Sequence, residues 1–204
     1  MSSQIDDEFI YNDNKYYLSA VEFPQNFIDI YSLGIKPTEF TTACYRGFVA
    51  TFAINNEKLV LNKLYTNNGN KIKNEVPIIN NKLPKISVPN GLLDEYKNSW
   101  REFTYEDIDL VINYTGSIII VKDYINKYIS GPYAFLSISP FCYKEIIKLT
   151  FVEGNFTNIK DLSNYCDKIR TERNNISKDK EQNDAYSGWP NIGDLFKENF
   201  ADQI

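Results

Sequence analysis

The sequence predicts an α+β protein: a mostly antiparallel, curled or barrel-like sheet with a few helices packed on it. Three observations predict this class. Alternating apolar runs recur between short polar turns, which is the period of a half-buried strand. A later segment carries apolar residues at helical spacing instead. Finally, 204 residues at 43% hydrophobic and 24% charged are enough for one core. Residues 1–204 are therefore read as a single domain, with a core over 15–173, a charged linker over 174–184 and a C-terminal helix over 185–204 docking back on the core.

The segment up to Asn14 is polar and acidic and reads as a frayed start. Lys15–Val21 (KYYLSAV) reads as the first strand. Pro24 opens a helical turn that places Phe27, Ile28 and Tyr31 on one face, and Gly34 and Pro37 end it. Cys44–Ile54 puts Phe48, Ala50, Phe52 and Ile54 on one face and Val49, Thr51 and Ala53 on the other. The return strand Leu59–Tyr65 follows across Asn55–Lys58. Thr66–Lys82 reads as an exposed loop with an extended piece at Val76–Ile79, and Ile86–Val88 as a short strand. A second hairpin is expected from Ile108–Tyr114 and Ser117–Lys122 through Thr115-Gly116. A third is expected from Ile146–Val152 and Phe156–Ile159 through Glu153-Gly154-Asn155, the glycines supplying the positive φ of tight turns. Asp161–Arg173 is the strongest helix, capped by Asp161, with Leu162, Tyr165, Cys166 and Ile169 on its apolar face. Beyond the linker, Trp189, Ile192, Leu195, Phe196 and Phe200 suggest a short amphipathic helix.

Histidine is absent. That excludes Ser-His-Asp and Cys-His hydrolases and the zinc sites that need imidazole. No phosphate loop, dinucleotide fingerprint or nucleophile elbow occurs, so the chain reads as non-catalytic and without a cofactor. The carboxylates Asp6, Asp7 and Glu8, and the set Glu106, Asp107 and Asp109, lack the spacing of a calcium loop, so no metal is expected. A net charge of −5 repels phosphate backbones and argues against nucleic acid as partner. No apolar run suits a bilayer, no signal peptide is read, and three widely spaced cysteines suit free thiols. The expected location is the cytoplasm, without membrane attachment.

Tyr45-Arg46-Gly47-Phe48 begins the most distinctive stretch, which runs on to Phe52. It resembles the aromatic-Arg-Gly-aromatic strand, followed by a hairpin, of a widespread group of uncharacterised bacterial proteins. Tyr45 and Phe52 stand where that pattern has Trp. The resemblance implies a bacterial origin and a fold, but no activity. Arg46 lies among apolar neighbours and needs a carboxylate, either Glu39 or one from another strand. The alternative is an anion-binding arginine that Gly47 lets a ligand approach. Trp100, Arg101, Glu102, Glu106 and Asp107 form the other candidate cluster, since Trp and Arg are enriched at binding hot spots.

These residues point to a binding protein of the immunity type, one that neutralises a toxin. A basic toxin would be steered to an acidic inhibitor. The alternatives are a small-ligand binder or enzyme with an Arg, Tyr and carboxylate pocket, and a scaffold protein acting through its sheet edge or its C-terminal helix.

Overall fold

A computed structural model describes residues 5–38, 43–67, 77–86, 103–125, 139–179 and 189–197. Its strands are β1 (Glu8–Tyr11), β2 (Asn14–Val21), β3 (Phe48–Asn55), β4 (Lys58–Thr66), β5 (Lys85–Ile86), β6 (Phe103–Tyr105), β7 (Leu110–Val111), β8 (Gly116–Tyr124), β9 (Tyr143–Val152) and β10 (Asn155–Asp161). Among the described residues one α-helix, α1, spans Ser163–Asp179.

Seven strands close into a barrel in the order β10-β9-β8-β2-β1-β3-β4, and Asn155 opposite Lys58 joins its ends. All neighbours are antiparallel except β1 and β3, which run parallel with Phe9 opposite Phe52. The curled, barrel-like sheet agrees with the sequence. The α+β class is matched only in part, because the molecule is mostly strand with few helices.

Turn chemistry sets this topology. Asn12-Asp13, Asn56-Glu57, Asn80-Asn81 and Glu153-Gly154 each hold two successive residues at positive φ, between 46° and 76°. Such pairs form the turns whose twist matches that of paired strands. The first of them corrects the reading of a frayed start. Glu8–Tyr11 is a barrel strand, and Phe9 is completely buried.

The expected hairpin between Ile108–Tyr114 and Ser117–Lys122 is also corrected. Leu110–Val111 pairs with β4, whereas β8 lies between β2 and β9. Tyr114–Gly116 links two strands that do not pair with each other, so it is not the turn of a hairpin. The hairpins β3–β4 and β9–β10 form as expected. The segment after Pro24 makes two 3-10 turns, Pro24–Asn26 and Tyr31–Leu33. They bury Phe27 and Ile30 and leave Tyr31 outside, so the expected face is shifted. Of the described ends of the expected loop 66–82, Thr66, Asn67 and Ile79 are buried, whereas Ile78 and residues 80–82 are exposed.

Large side chains fill the barrel interior, as in other small barrels. Phe9, Phe52, Tyr114, Ile118, Ile120, Leu149 and Phe151 all lie in one buried cluster. The Phe27 ring packs 4.8 Å from Phe52 and 5.1 Å from Tyr114. A second cluster lies outside the barrel. There Ile119, Val121 and Ile146 from β8 and β9 meet Leu162, just ahead of α1, and Cys166 and Ile169 of α1, with Leu195 alongside. Strand β8 is thus buried on both faces, which is why Ile118–Val121 reads as an unbroken apolar run.

Asp161 accepts a hydrogen bond from the Ser163 amide at 2.8 Å, as a start signal for α1 should. The helix continues to Asp179, into the tract read as a linker. After it, Ile192–Phe196 forms a 3-10 turn with Leu195 buried. Phe200 and the rest of the tail lie outside the described residues. No helix among the described residues is long and apolar enough to cross a membrane.

Candidate functional site

Arg46 and Asp7 form a two-pronged pair. Nη1 and Nη2 each donate to one Asp7 oxygen at 2.7 Å. Nη2 also reaches the Ile5 carbonyl at 3.2 Å, and Nε donates to the Phe48 carbonyl at 3.1 Å. The guanidinium lies 4.9 Å from the Phe48 ring centroid. Asp7 in turn accepts from the Ala50 amide at 2.7 Å. Burial pushes the Asp7 carboxyl up from its ordinary value, while Arg46 and the Ala50 amide pull it back. A charge in this position requires such partners. All three guanidinium nitrogens are engaged within the chain, and the partner is Asp7. The other candidate, Glu39, lies outside the described residues.

Gly47 does allow a close approach, but the approaching group belongs to the chain. With φ at +72°, a Cβ there would stand 2.4 Å from the Thr38 carbonyl oxygen. Asn67 clamps the same residue, donating to the Thr38 carbonyl and accepting from its amide, both at 2.9 Å. The Tyr45–Phe48 motif is thus a joint that ties the chain on either side of β3 to the barrel. Tyr45 itself is half-exposed.

Of the second predicted cluster, Trp100, Arg101 and Glu102 lie outside the described residues. Glu106 is held between Lys63, at 2.9 Å, and Lys85. Hydrogen bonds from Lys85 and Lys63 hold its carboxyl well below the usual range, at about 2. Asp107 is different. It stands exposed at φ 50°, and Asp109 stands exposed at φ 46°. Between them, Ile108 is fully buried. Its amide donates to the Asn62 carbonyl at 2.8 Å, and its carbonyl accepts from Asn80 at 2.7 Å. Asn62 is the residue skipped where the β3–β4 register shifts, so a bulge turns its carbonyl toward this segment. Plugging Ile108 into the core fixes both aspartates on the outside.

The two aspartates lie on the seam where the barrel closes. Along it β7 pairs with β4, the Leu59 amide donates to the Gly154 carbonyl, and the Phe156 amide donates to the Glu57 carbonyl, both at 2.8 Å. Gly154 is tight here, since a Cβ would meet the Ile112 carbonyl oxygen at 2.5 Å. The seam therefore carries four exposed carboxylates, Glu57, Asp107, Asp109 and Glu153, each on a residue of positive φ. Exposed Val111 and Val152 accompany them. Among the described residues the seam also holds Lys58, whose amine is bound to Asn155.

Sequence reasoning missed Glu57 and Glu153. Their signal is a glutamate in a two-residue turn, where Asn or Gly is the favoured choice. Among the described residues, no group of three or more Cys, Asp and Glu side chains could hold a metal ion. No family model, curated protein or solved structure matches the chain. The resemblance noted for Tyr45–Phe52 rests on those residues alone.

Proposed function

We propose that the chain is a non-catalytic, cytoplasmic binding protein of the immunity type, which neutralises a basic toxin by covering it with the acidic seam of the barrel. One observation carries this reading. Glu57 and Glu153 occupy left-handed backbone positions, at φ 60° and 50°. A side chain there costs roughly 1 kcal/mol, which Gly avoids and Asn reduces. A carboxylate kept at such a position on an exposed turn is better explained by what it meets than by stability. The filled interior supports the same conclusion, because it directs recognition to the outer surface.

The test uses E57N, D107N, D109N and E153N in one chain. Asparagine tolerates the same backbone, and its Oδ1 can still accept at residue 109, where Asn55 and Asn62 donate at 3.4 Å. The fold is expected to hold while four negative charges disappear. Pull-down from the native host should retain one stoichiometric basic protein on the wild type and lose it on the variant. Equal retention by both, or a neutral or acidic partner, would sink the proposal.

A second reading has its own observation. At one end of the barrel the Tyr16 hydroxyl donates to Glu145 at 3.0 Å, and Lys122 lies 3.7 Å from Glu145. This Tyr, Lys and carboxylate group would suit a small polar ligand, without Arg46. Ligand-induced thermal shifts lost in Tyr16→Phe would favour it over the protein partner.

A further inference from the structure

We propose that Ile78 and Leu83 are the apolar anchor of the acidic seam, seated in an apolar pocket of the same basic partner protein, between its lysines and arginines. The inference rests on the reading of the seam as a binding surface, and adds what holds the partner once it has arrived. Residues 77–83 form a small hairpin. The Ile79 amide donates to the Lys82 carbonyl at 3.1 Å, and the Lys82 amide donates to the Ile79 carbonyl at 2.8 Å. Asn80 and Asn81, both at positive φ, make the turn between them. Ile79 is buried in the barrel cluster. Ile78 and Leu83 flank the bridge on its two arms and are 63% and 69% exposed. One step along each arm turns a side chain to the opposite face, so the two stand side by side on the outside.

The hairpin is pinned in place. The Tyr105 hydroxyl donates to the Pro77 carbonyl at 2.8 Å. The Asn80 side chain donates to the carbonyls of Ile108 at 2.7 Å and Asp109 at 3.3 Å. Those bonds set the hairpin against the stretch that carries exposed Asp107, Asp109 and Val111. Aliphatic side chains held outward beside carboxylates have the make-up of a protein interface, an apolar centre within a charged rim. A preformed hairpin also loses little freedom on binding.

Charge decides the occupant. A second copy joined symmetrically through this face would bring the same carboxylates to both sides. Lys58 and Lys82 offset only part of the charge of Glu57, Asp107, Asp109 and Glu153, so like charges would meet. A basic surface removes that conflict while its pocket covers the two aliphatic side chains.

The test uses the basic protein captured by the wild-type chain, purified, and follows its binding to the full chain carrying Ile78→Ser and Leu83→Ser. Dissociation should speed at least about tenfold, while the association rate and its salt dependence stay as in the wild type. The E57N, D107N, D109N and E153N chain should instead associate more slowly. Both serines replace exposed side chains, so the urea midpoint should hold. If it falls, Leu83→Ser alone serves, with dissociation at least about threefold faster. An unchanged dissociation rate would overturn the anchor and leave the seam standing. Capture of no basic protein by the wild type would overturn both. Sedimentation of the wild type alone completes the test: a dimer dissolved by the two serines would assign this face to a second copy and overturn the proposal.

Discussion

Two walls of the same barrel differ in what lies over them. On β8 and β9 the outward residues Ile119, Val121 and Ile146 are buried beneath α1 and the C-terminal turn. Along the seam, where β10 meets β4, the outward residues are Glu57, Asp107, Asp109, Val111 and Glu153, all exposed. Both walls use ordinary strands and tight turns. The contrast teaches that the covered wall supplies stability, whereas the bare one tolerates charge and costly backbone because little packing depends on it.

The contrast breaks most visibly under a buried charge. Ile119→Asp should cost more than about 4 kcal/mol, because a carboxylate would sit unpaired between sheet and helix. Val111→Asp on the seam should stay within about 0.5 kcal/mol. Urea unfolding of the pair checks this, and similar losses would erase the distinction between the walls. Next in size is Arg46→Ala, which strands the buried Asp7 with the Ala50 amide and should cost about 3 kcal/mol. The double variant with Asp7→Ala should cost less than the sum of the two single changes.

Two pH effects are smaller. Burial first, then Glu145, pushes Tyr16 up to about 12 from an ordinary value of 10.0, and burial does the same to Tyr105. A raised value means stability present below pH 10 and lost as pH rises toward 12. Tyr16→Phe should flatten part of that loss in alkaline unfolding curves. Glu106 has the opposite sign. Its carboxyl, held at about 2 against an ordinary 4.5, contributes above pH 4.5 and fades as pH falls toward 2. Glu106→Gln should remove a slight acid-side slope that salt also weakens, since the group is open to solvent.

Much of the fold was legible where one local signal decided the outcome. The β3–β4 and β9–β10 hairpins follow from alternation plus turn residues, and α1 from Asp161 and its apolar face. What failed depended on distant partners. Glu8–Tyr11 is hidden by the polar, acidic residues around it, Asp6 and Asp7 before it and Asn12 to Asn14 after it, and its place is set by pairing with β3. Leu110–Val111 looks like half of a hairpin, yet β8 has one face in the barrel interior and the other under α1, and it pairs with β2 and β9. At the candidate site, Arg46 was recognised as needing a carboxylate, but Asp7 is 39 residues away and no spacing rule selects it. Asp107 was singled out in a charged cluster, whereas Glu57 and Glu153 become visible only when turns bring them to one seam.

The most direct test of the seam is the association rate of the chain with its captured basic partner, measured across a range of salt for wild type and for the E57N, D107N, D109N and E153N variant. Electrostatic steering predicts a fast rate that falls steeply with salt in the wild type, and a slower, nearly salt-independent rate in the variant. Identical rates and identical salt dependence in the two proteins would contradict the account.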